Sequence, residues 1–234
     1  MPDLTISNRE MVKTPYGAPS GPLLHGELNG VEVTFLPRHG RGHTIPPHKI
    51  NYRANITALH EVGVTHTIAV ASVGGIHDDC TDGTIIIPDQ IIDYTYARKH
   101  TFYDGKSDKF DHIDFTCPYD EALRQKLIKG AEASGVAHLT HAVYGATQGP
   151  RLESAAEINR MERDGCTVVG MTGMPEAALA REIGLHYACC GVVVNRAAGK
   201  GPGTLDISHI EANLEIGIER VKKVLDSTLK LGVI

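Results

Sequence analysis

The sequence lacks the features by which several classes of protein are recognised. Its 234 residues carry a formal net charge of −5, so it has no basic stretch suited to nucleic acid. No apolar run is long enough to span a bilayer, and the N-terminus has no apolar signal-peptide core. The chain also contains no internal repeat and no low-complexity segment. We therefore expect neither nucleic acid nor a membrane to be a partner.

The cysteine pattern excludes two further classes. The five cysteines are an odd number and form no Cys-x-x-Cys pair, and Cys189 and Cys190 are adjacent within an apolar run. This pattern is typical of reduced, buried thiols, and not of a disulfide framework or a zinc knuckle. It predicts a cytoplasmic protein.

The composition and the order of the elements predict one α/β domain over residues 1–234. The chain is 41% hydrophobic and 22% charged, which suits a sizeable core. Strands are predicted at 31–36, 66–71, 85–87, 138–144, 168–169 and 187–194. Helices are predicted at 51–62, 119–133, 152–163 and 206–231. The segments 1–13, 37–48, 94–117 and 196–203 have no clear period, and 72–75 is predicted to be a glycine turn.

The stretch 168–195 predicts where a site would lie. It reads as strand, helix and strand, and such a βαβ unit binds ligands at the carboxyl ends of its strands. Met171, Thr172 and Asn195 occupy those ends. We therefore expect the active site there.

A cationic loop follows the strand at 31–36. Arg38, His39, Arg41 and His43 lie within six residues, and arginine offers a two-pronged donor to phosphate oxygens. An anion site and an ordinary solvated basic loop both fit this pattern. A metal site formed by His39, His43 and His48 is a weaker alternative, because the glycines between them argue against a helix.

Four other positions carry candidate functions. Thr172 precedes a helix and could bind an anion there or merely cap the helix, and the segment 71–75 could offer backbone N–H groups to the same anion. Glu153 stands in the first turn of a predicted helix, where a carboxylate also complements the helix dipole. Asn195 closes an apolar strand, so its amide needs partners from the backbone or from a ligand.

Four stretches of the sequence form a recognisable set: 38–46 (RHGRGHTIP), 51–55 (NYRAN), 147–151 (TQGPR) and 170–176 (GMTGMPE). Together they resemble the purine nucleoside phosphorylase and 5′-methylthioadenosine phosphorylase family. The likeness runs from about residue 14 to the C-terminus, and the last two of these stretches are specific to the family. Segments 14–20 and 193–200 are similar to its S-methyl-5′-thioinosine phosphorylase branch in particular.

The resemblance implies a fold, a reaction and a set of residues. The fold is a central mixed β-sheet, partly barrel-like and flanked by helices. The reaction is the phosphorolysis of S-methyl-5′-thioinosine to hypoxanthine and 5-methylthioribose 1-phosphate, in purine salvage, by a pentosyltransferase. The phosphate-binding positions are Arg38, His39, Ala71, Ser72 and Thr172, with backbone contact only at Ala71, where the family usually has Asn or Thr.

The same resemblance assigns the nucleoside-binding positions. Met171 lies under the ribose, Glu153 and Asn195 read the base, and Arg196 and Ala197 stand beside them. Asn195 also has the catalytic role, because it holds the departing base. Asn at that position with Glu153 implies a 6-oxopurine, and the apolar Ile207 implies a methylthio group on the sugar.

The resemblance also implies an oligomeric state and shows which segment of the family is missing. It implies a homotrimer that uses phosphate as co-substrate and needs no cofactor or metal. The family's first strand and glycine-rich phosphate loop have no counterpart in the sequence, so we expect them to be missing here. Two alternatives stay open: an inosine and guanosine phosphorylase, and a truncated, catalytically impaired nucleoside-binding protein.

Overall fold

A computed structural model gives the structure of residues 5–105, 110–203 and 207–232, without the side chains of Ile207 and His209. The strands are β1 Thr5–Glu10, β2 Leu23–Leu28, β3 Val31–Phe35, β4 His66–Gly75, β5 Ile85–Ile86, β6 Gln90–Asp93, β7 His138–Leu139, β8 Val143–Ala146, β9 Val168–Gly170 and β10 His186–Arg196. The helices are α1 Tyr52–Glu61, α2 Glu121–Ser134, α3 Ala155–Arg163, α4 Gly173–Glu182 and α5 Ile207–Lys230, with a 3₁₀ turn at Pro47–Lys49.

The main sheet has seven strands in the order β6-β8-β9-β4-β10-β5-β7. Its first three strands are parallel, as are β4 and β10, and β5 and β7. The pairs β9–β4 and β10–β5 are antiparallel, so the sheet is mixed. The sheet is curled, with helices packed against it, and the predicted α/β fold with a mixed central sheet is confirmed.

Strand β10 shows why the protein has helices on both sheet faces. Successive side chains of a strand point to opposite faces, and almost every residue of β10 is buried. Cys189 and Val193 pack with residues of α1 and α4, whereas Cys190 and Val192 pack with α2 and α5. Two hydrophobic layers on either side of the sheet therefore form the core.

The small sheet β1-β2-β3 lies outside this main sheet. Strand β1 pairs antiparallel with β2, and β2 with β3. No strand was predicted in the weakly patterned segment 1–13, because β1 is exposed throughout and its sequence shows no buried alternation. The expectation of a missing first core strand stays a prediction.

Several predicted boundaries change where strands exchange partners. The segment 72–75 is not a turn: β4 continues to Gly75 and pairs with β10 to its end. The strand predicted at 138–144 is two short strands, β7 beside β5 and β8 between β6 and β9. Within the described residues, no helix is both long and apolar enough to cross a membrane.

Candidate active site

A cavity of about 1180 Å³ lies at the carboxyl ends of β4 and β10 and extends along β4. Its walls come from the main sheet, from β2 and β3 of the small sheet, and from α5. Nine of the residues predicted from the sequence line it. These are Arg38, His39, Ala71, Ser72, Glu153, Met171, Thr172, Asn195 and Ala197.

The ends of β4, β9 and β10 lie at this cavity, but not because β9, α4 and β10 form the predicted βαβ unit. Strands β9 and β10 are not parallel neighbours, because β4 lies between them and runs antiparallel to β9. Val169 pairs with Gly74 of β4, so the chain beyond β9 runs back along β4 towards Ser72. The βαβ prediction was therefore wrong, although Met171, Thr172 and Asn195 do line one cavity.

Arg38 lies in a buried ion pair at the side of the cavity. Its Nε and Nη2 donate to the two carboxylate oxygens of Glu176 at 3.0 and 2.7 Å, and its Nη1 donates to Val70 O at 2.6 Å. The hydroxyl of Tyr187 also donates to Glu176. Burial acts to lower the Arg38 pKa, but the Glu176 carboxylate more than offsets it and the pKa lies above its ordinary value. A guanidinium has five N–H groups, so two remain for an anion.

His39 stands beside Arg38 on the predicted cationic loop. Its Nδ1 lies 2.9 Å from Ile45 O and donates to it, since a carbonyl can only accept. Burial, with the neighbouring charges of His43 and Arg38, holds the His39 pKa below its usual value of 6.5. The rings of His39 and His43 are stacked with centroids 4.2 Å apart. In the described part of the chain, no three His, Cys, Asp or Glu residues are grouped to hold a metal, and this includes His39, His43 and His48.

The side chain of Thr172 does not cap the helix that follows it. It is the N-cap residue of α4, but its side chain makes no capping hydrogen bond. The residue is 7% exposed, lines the cavity, and its backbone N–H donates to the Tyr144 hydroxyl at 3.4 Å. Burial raises the pKa of Tyr144 to about 12, so this phenol stays protonated. The Thr172 hydroxyl is therefore not used for capping, and its anion-binding role stays a prediction.

Glu153 is oriented by a threonine. The hydroxyl of Thr147 donates to Glu153 Oε1 at 2.6 Å, and the backbone N–H of Thr147 donates to Gly170 O at 2.8 Å. The predicted place of Glu153 in a helical turn was wrong, because Ser154 caps α3 through a capping box with Glu157. Glu153 therefore precedes the helix. Because Ser154 and Glu157 form the cap, the Glu153 carboxylate is not needed to stabilise the start of α3.

Asn195 lies at an irregularity of β10. The pairing with β4 shifts between Val193 and Asn195, and such bulges re-aim side chains near functional sites. Its Nδ2 donates to Arg196 O at 2.6 Å, which uses one of the two amide hydrogens. The amide therefore keeps a donor and an acceptor for a base.

Two predicted positions differ from the other nine. Arg196 is not among the lining residues; its guanidinium donates to the carbonyls of Ile76, His77 and Cys80 and to Asp78. Ile207 begins α5, and its side chain lies outside the described residues. On the same helix, Ile210, Leu214 and Ile218 do line the cavity, so its α5 side is apolar.

Arg98, like Glu176, is a buried residue next to the site that was not predicted from the sequence. It is 8% exposed and comes from the segment that was predicted only as loop. Its guanidinium contacts six neutral oxygens: Tyr52 Oη, Met171 O, Met174 O, Thr147 O, Gln148 O and Gln148 Oε1. Burial holds the pKa of Arg98 below its usual value. No periodic pattern marks such a residue, because its partners are mainly backbone carbonyls distant in sequence.

Comparison with known proteins agrees with this geometry. Residues 3–230 match the family model described as the phosphorylase superfamily. The chain is 50% identical to a probable S-methyl-5′-thioinosine phosphorylase of Pseudomonas syringae pv. tomato, over 97% of this chain and 92% of the relative. It is 43% identical to the 6-oxopurine nucleoside phosphorylase of Pyrococcus furiosus, over 95% and 85% of the two chains.

A solved structure shows the same fold. The methylthioadenosine phosphorylase of Schistosoma mansoni in complex with adenine superposes with a TM-score of 0.92 at 30% identity, over 97% of this chain and 86% of that one. The family resemblance predicted from the sequence is therefore confirmed. The chain belongs to the phosphorylase superfamily.

Proposed function

We propose that this protein catalyses the phosphorolysis of S-methyl-5′-thioinosine, releasing hypoxanthine and 5-methylthioribose 1-phosphate. The observation that carries the proposal is the convergence of two kinds of group in one cavity. Arg38, His39 and Thr172 are suited to an anion, whereas Glu153 and Asn195 are suited to a purine. The names of the relatives at 50% and 43% identity support the same reaction class.

The proposed reaction has one bond formed and one broken. Phosphate held by Arg38, His39, Ser72 and Thr172 attacks C1′ as the bond from C1′ to the base breaks. The sugar then passes through an oxocarbenium-like state, which the adjacent anion stabilises. The electron pair of the broken bond goes to the base, whose N7 takes a proton from solvent. Asn195 accepts a hydrogen bond from that N7–H, an interaction that strengthens towards the transition state.

The base selection follows from hydrogen-bond chemistry. A 6-oxopurine offers an N1–H donor and an O6 acceptor, which match a carboxylate at Glu153 and an amide N–H at Asn195. Adenine offers an acceptor at N1 and a donor at its 6-amino group, so both contacts are reversed. The hydrogen bond from Thr147 keeps the Glu153 carboxylate in a fixed orientation. Hypoxanthine is therefore the favoured base.

The sugar selection rests on the apolar wall. Ile210, Leu214 and Ile218 offer no donor to a 5′-hydroxyl, and a methylthio group buries apolar surface against such residues. Met171 would pack under the ribose. Arg196 acts in this proposal by holding the segment beside Asn195 and Ala197. The assignment of Ile207 to the methylthio group rests on the family resemblance alone. An inosine and guanosine phosphorylase is the second candidate, because its base contacts would be identical.

The remaining parts of the proposal concern the setting of the reaction. The co-substrate is inorganic phosphate, and the proposed step uses a proton from solvent and the anion-binding and base-binding side chains, without a cofactor. The working form is a homotrimer, and the reduced cysteines fit a cytoplasmic enzyme. A hydrolase would release the base at the same rate without phosphate, and this distinguishes hydrolysis from phosphorolysis.

The test is base release from three nucleosides with and without phosphate, and with and without EDTA. We expect phosphate-dependent, EDTA-insensitive release that is fastest from S-methyl-5′-thioinosine, slower from inosine and slowest from 5′-methylthioadenosine. The variant Asn195→Asp should shift the ratio of specificities towards 5′-methylthioadenosine by about tenfold or more. Preference for inosine would favour the second candidate. Purine binding without turnover would indicate an impaired binding protein and would overturn the proposal.

A further inference from the structure

Two buried arginines make it possible to separate support of the site from support of the fold. Arg98 and Arg124 are 8% and 3% exposed, and both donate mainly to backbone carbonyls. Neither lines the cavity, and Arg124 contacts Pro88 O, Ile87 O and Thr140 O and pairs with Glu121. Arg98 instead contacts the segments that carry the predicted nucleoside-binding residues.

The first of these segments carries Met171. Arg98 Nη1 donates to Met171 O at 2.9 Å and to Met174 O at 2.6 Å, on either side of Thr172. Met171 is also the residue that a side chain at Gly149 would strike, since a Cβ there would lie 2.4 Å from its Sδ. Through its two hydrogen bonds to this segment, Arg98 fixes the backbone that carries the Met171 side chain, which faces the ribose in the proposed function.

The second segment carries Glu153. Arg98 Nη2 donates to Thr147 O at 3.0 Å and to Gln148 O at 2.7 Å, and Nε donates to Gln148 Oε1 at 3.1 Å. Thr147 in turn holds Glu153 through its hydroxyl. One guanidinium thus joins the ribose wall and the base-reading carboxylate through Thr147.

A buried cation held by neutral oxygens is costly, and its pKa falls accordingly. Arg98 faces Tyr52 and Tyr144, and Asp93 is the carboxylate that acts on it electrostatically. A planar, five-donor group is the side chain that can satisfy carbonyls from several segments at once, which an ammonium with three donors cannot. This demand for geometry distinguishes its role from that of a simple charge.

We propose that Arg98 is a positioning residue for the nucleoside half of the site, acting through Met171 and through the Thr147–Glu153 hydrogen bond, and that it leaves the phosphate half unchanged. The inference rests on the proposed function. It predicts a split between the two substrates, because a misplaced nucleoside costs up to about 100-fold in kcat/KM. Arg38 and His39 are held by other partners. Thr172, which lies between the two carbonyls that Arg98 contacts, is also held through its N–H by Tyr144.

The experiment compares Arg98→Lys with Arg124→Lys, each assayed for both substrates and for thermal unfolding. We expect Arg98→Lys to raise the KM for nucleoside at least tenfold and to leave the KM for phosphate within about twofold. Arg124→Lys should lower the Tm similarly and change neither KM. Equal rises in both KM values, or an unchanged KM for nucleoside in Arg98→Lys, would overturn the inference.

The Thr147 link is tested by rescue. Thr147→Val removes the hydroxyl and should reduce the preference for hypoxanthine over adenine nucleosides, whereas Thr147→Ser should restore it. Identical behaviour of the two variants would contradict the link. Calorimetric binding of hypoxanthine separates the two levels of proposal. Wild-type protein that binds no purine refutes the function, whereas equal binding by wild type and Arg98→Lys refutes only the role of Arg98.

Discussion

His39 is the residue of the predicted phosphate site whose charge changes near neutral pH. Its Nδ1–H is committed to Ile45 O, so Nε2 can donate to an anion only when the ring is protonated. Burial holds the pKa of the free enzyme below 6.5, and a bound anion raises it. Anion binding is therefore coupled to proton uptake. Affinity should rise as the pH falls from the raised pKa of the bound form towards the lowered pKa of the free enzyme.

Sulfate is the suitable probe for this coupling, because its own charge is constant over that range. We expect inhibition by sulfate to strengthen by up to about tenfold for each pH unit within the window, measured as the Ki against phosphate. His39→Asn should bind sulfate more weakly and show no such slope. A slope of equal size in His39→Asn would assign the proton to another group.

The residues of the site differ in how far the sequence could reveal them. Arg38 and His39 follow β3 on an irregular loop, and Asn195 lies at the irregularity of β10. A polar group at such a position calls for a ligand, and all three line the cavity. Glu176 and Arg98 could not be found in this way. Glu176 pairs with Arg38, which lies 138 residues away in the sequence. Arg98 binds mainly backbone carbonyls, which are the same for every residue type.

At the scale of elements, the packing of α2 against α5 depends on one glycine. A Cβ at Gly130 would lie 2.0 Å from Thr228 Oγ1 and 2.9 Å from Val224 O. Alanine at an exposed helical position stabilises by up to about 1 kcal/mol relative to glycine. Here we expect Gly130→Ala to lower the free energy of unfolding by about 1–3 kcal/mol, because the helices must separate. Urea denaturation measures the change.

The double variant with Thr228→Ala serves as the control for this contact. Thr228 is fully buried, and its hydroxyl donates to Val224 O at 2.7 Å. Removing that side chain relieves the closer of the two clashes and leaves the backbone one, so part of the loss should be recovered. Strict additivity of the two single variants would show that the helices do not meet through Gly130.

Glycine also explains why the end of β4 was predicted wrongly from the sequence. The residues Gly74 and Gly75 predicted a turn, since glycine is frequent in turns. In the structure Gly75 lies within the strand, and a Cβ there would be 2.3 Å from Cys80 O. The glycine therefore serves close approach of another backbone segment, which a local pattern cannot distinguish from a turn. Helices α1 and α2 were predictable because their own residues cap them, through Asn51, Asp120 and Gly135.

At the scale of the whole molecule, exposed apolar side chains lie on segments that border the site. Tyr96 is 68% exposed, and its backbone N–H donates to Gln148 Oε1, on the segment that leads to Glu153. Leu152, on that same segment, is 39% exposed and lines the cavity. Large exposed apolar groups beside a polar site are typical of surfaces that contact another protein. They support the proposed homotrimer, with this side of the site at the interface between subunits.

The assembly is tested by light scattering on a sizing column. We expect a mass near three times the 25.2 kDa of one chain. Tyr96→Glu should dissociate the trimer, because a charge at the interface core cannot be solvated there. Ile216→Glu is the matched control: Ile216 is 55% exposed, on α5, and its replacement should leave the mass unchanged. A monomeric wild type would refute the trimer. Dissociation by Ile216→Glu with an intact Tyr96→Glu assembly would move the interface to α5.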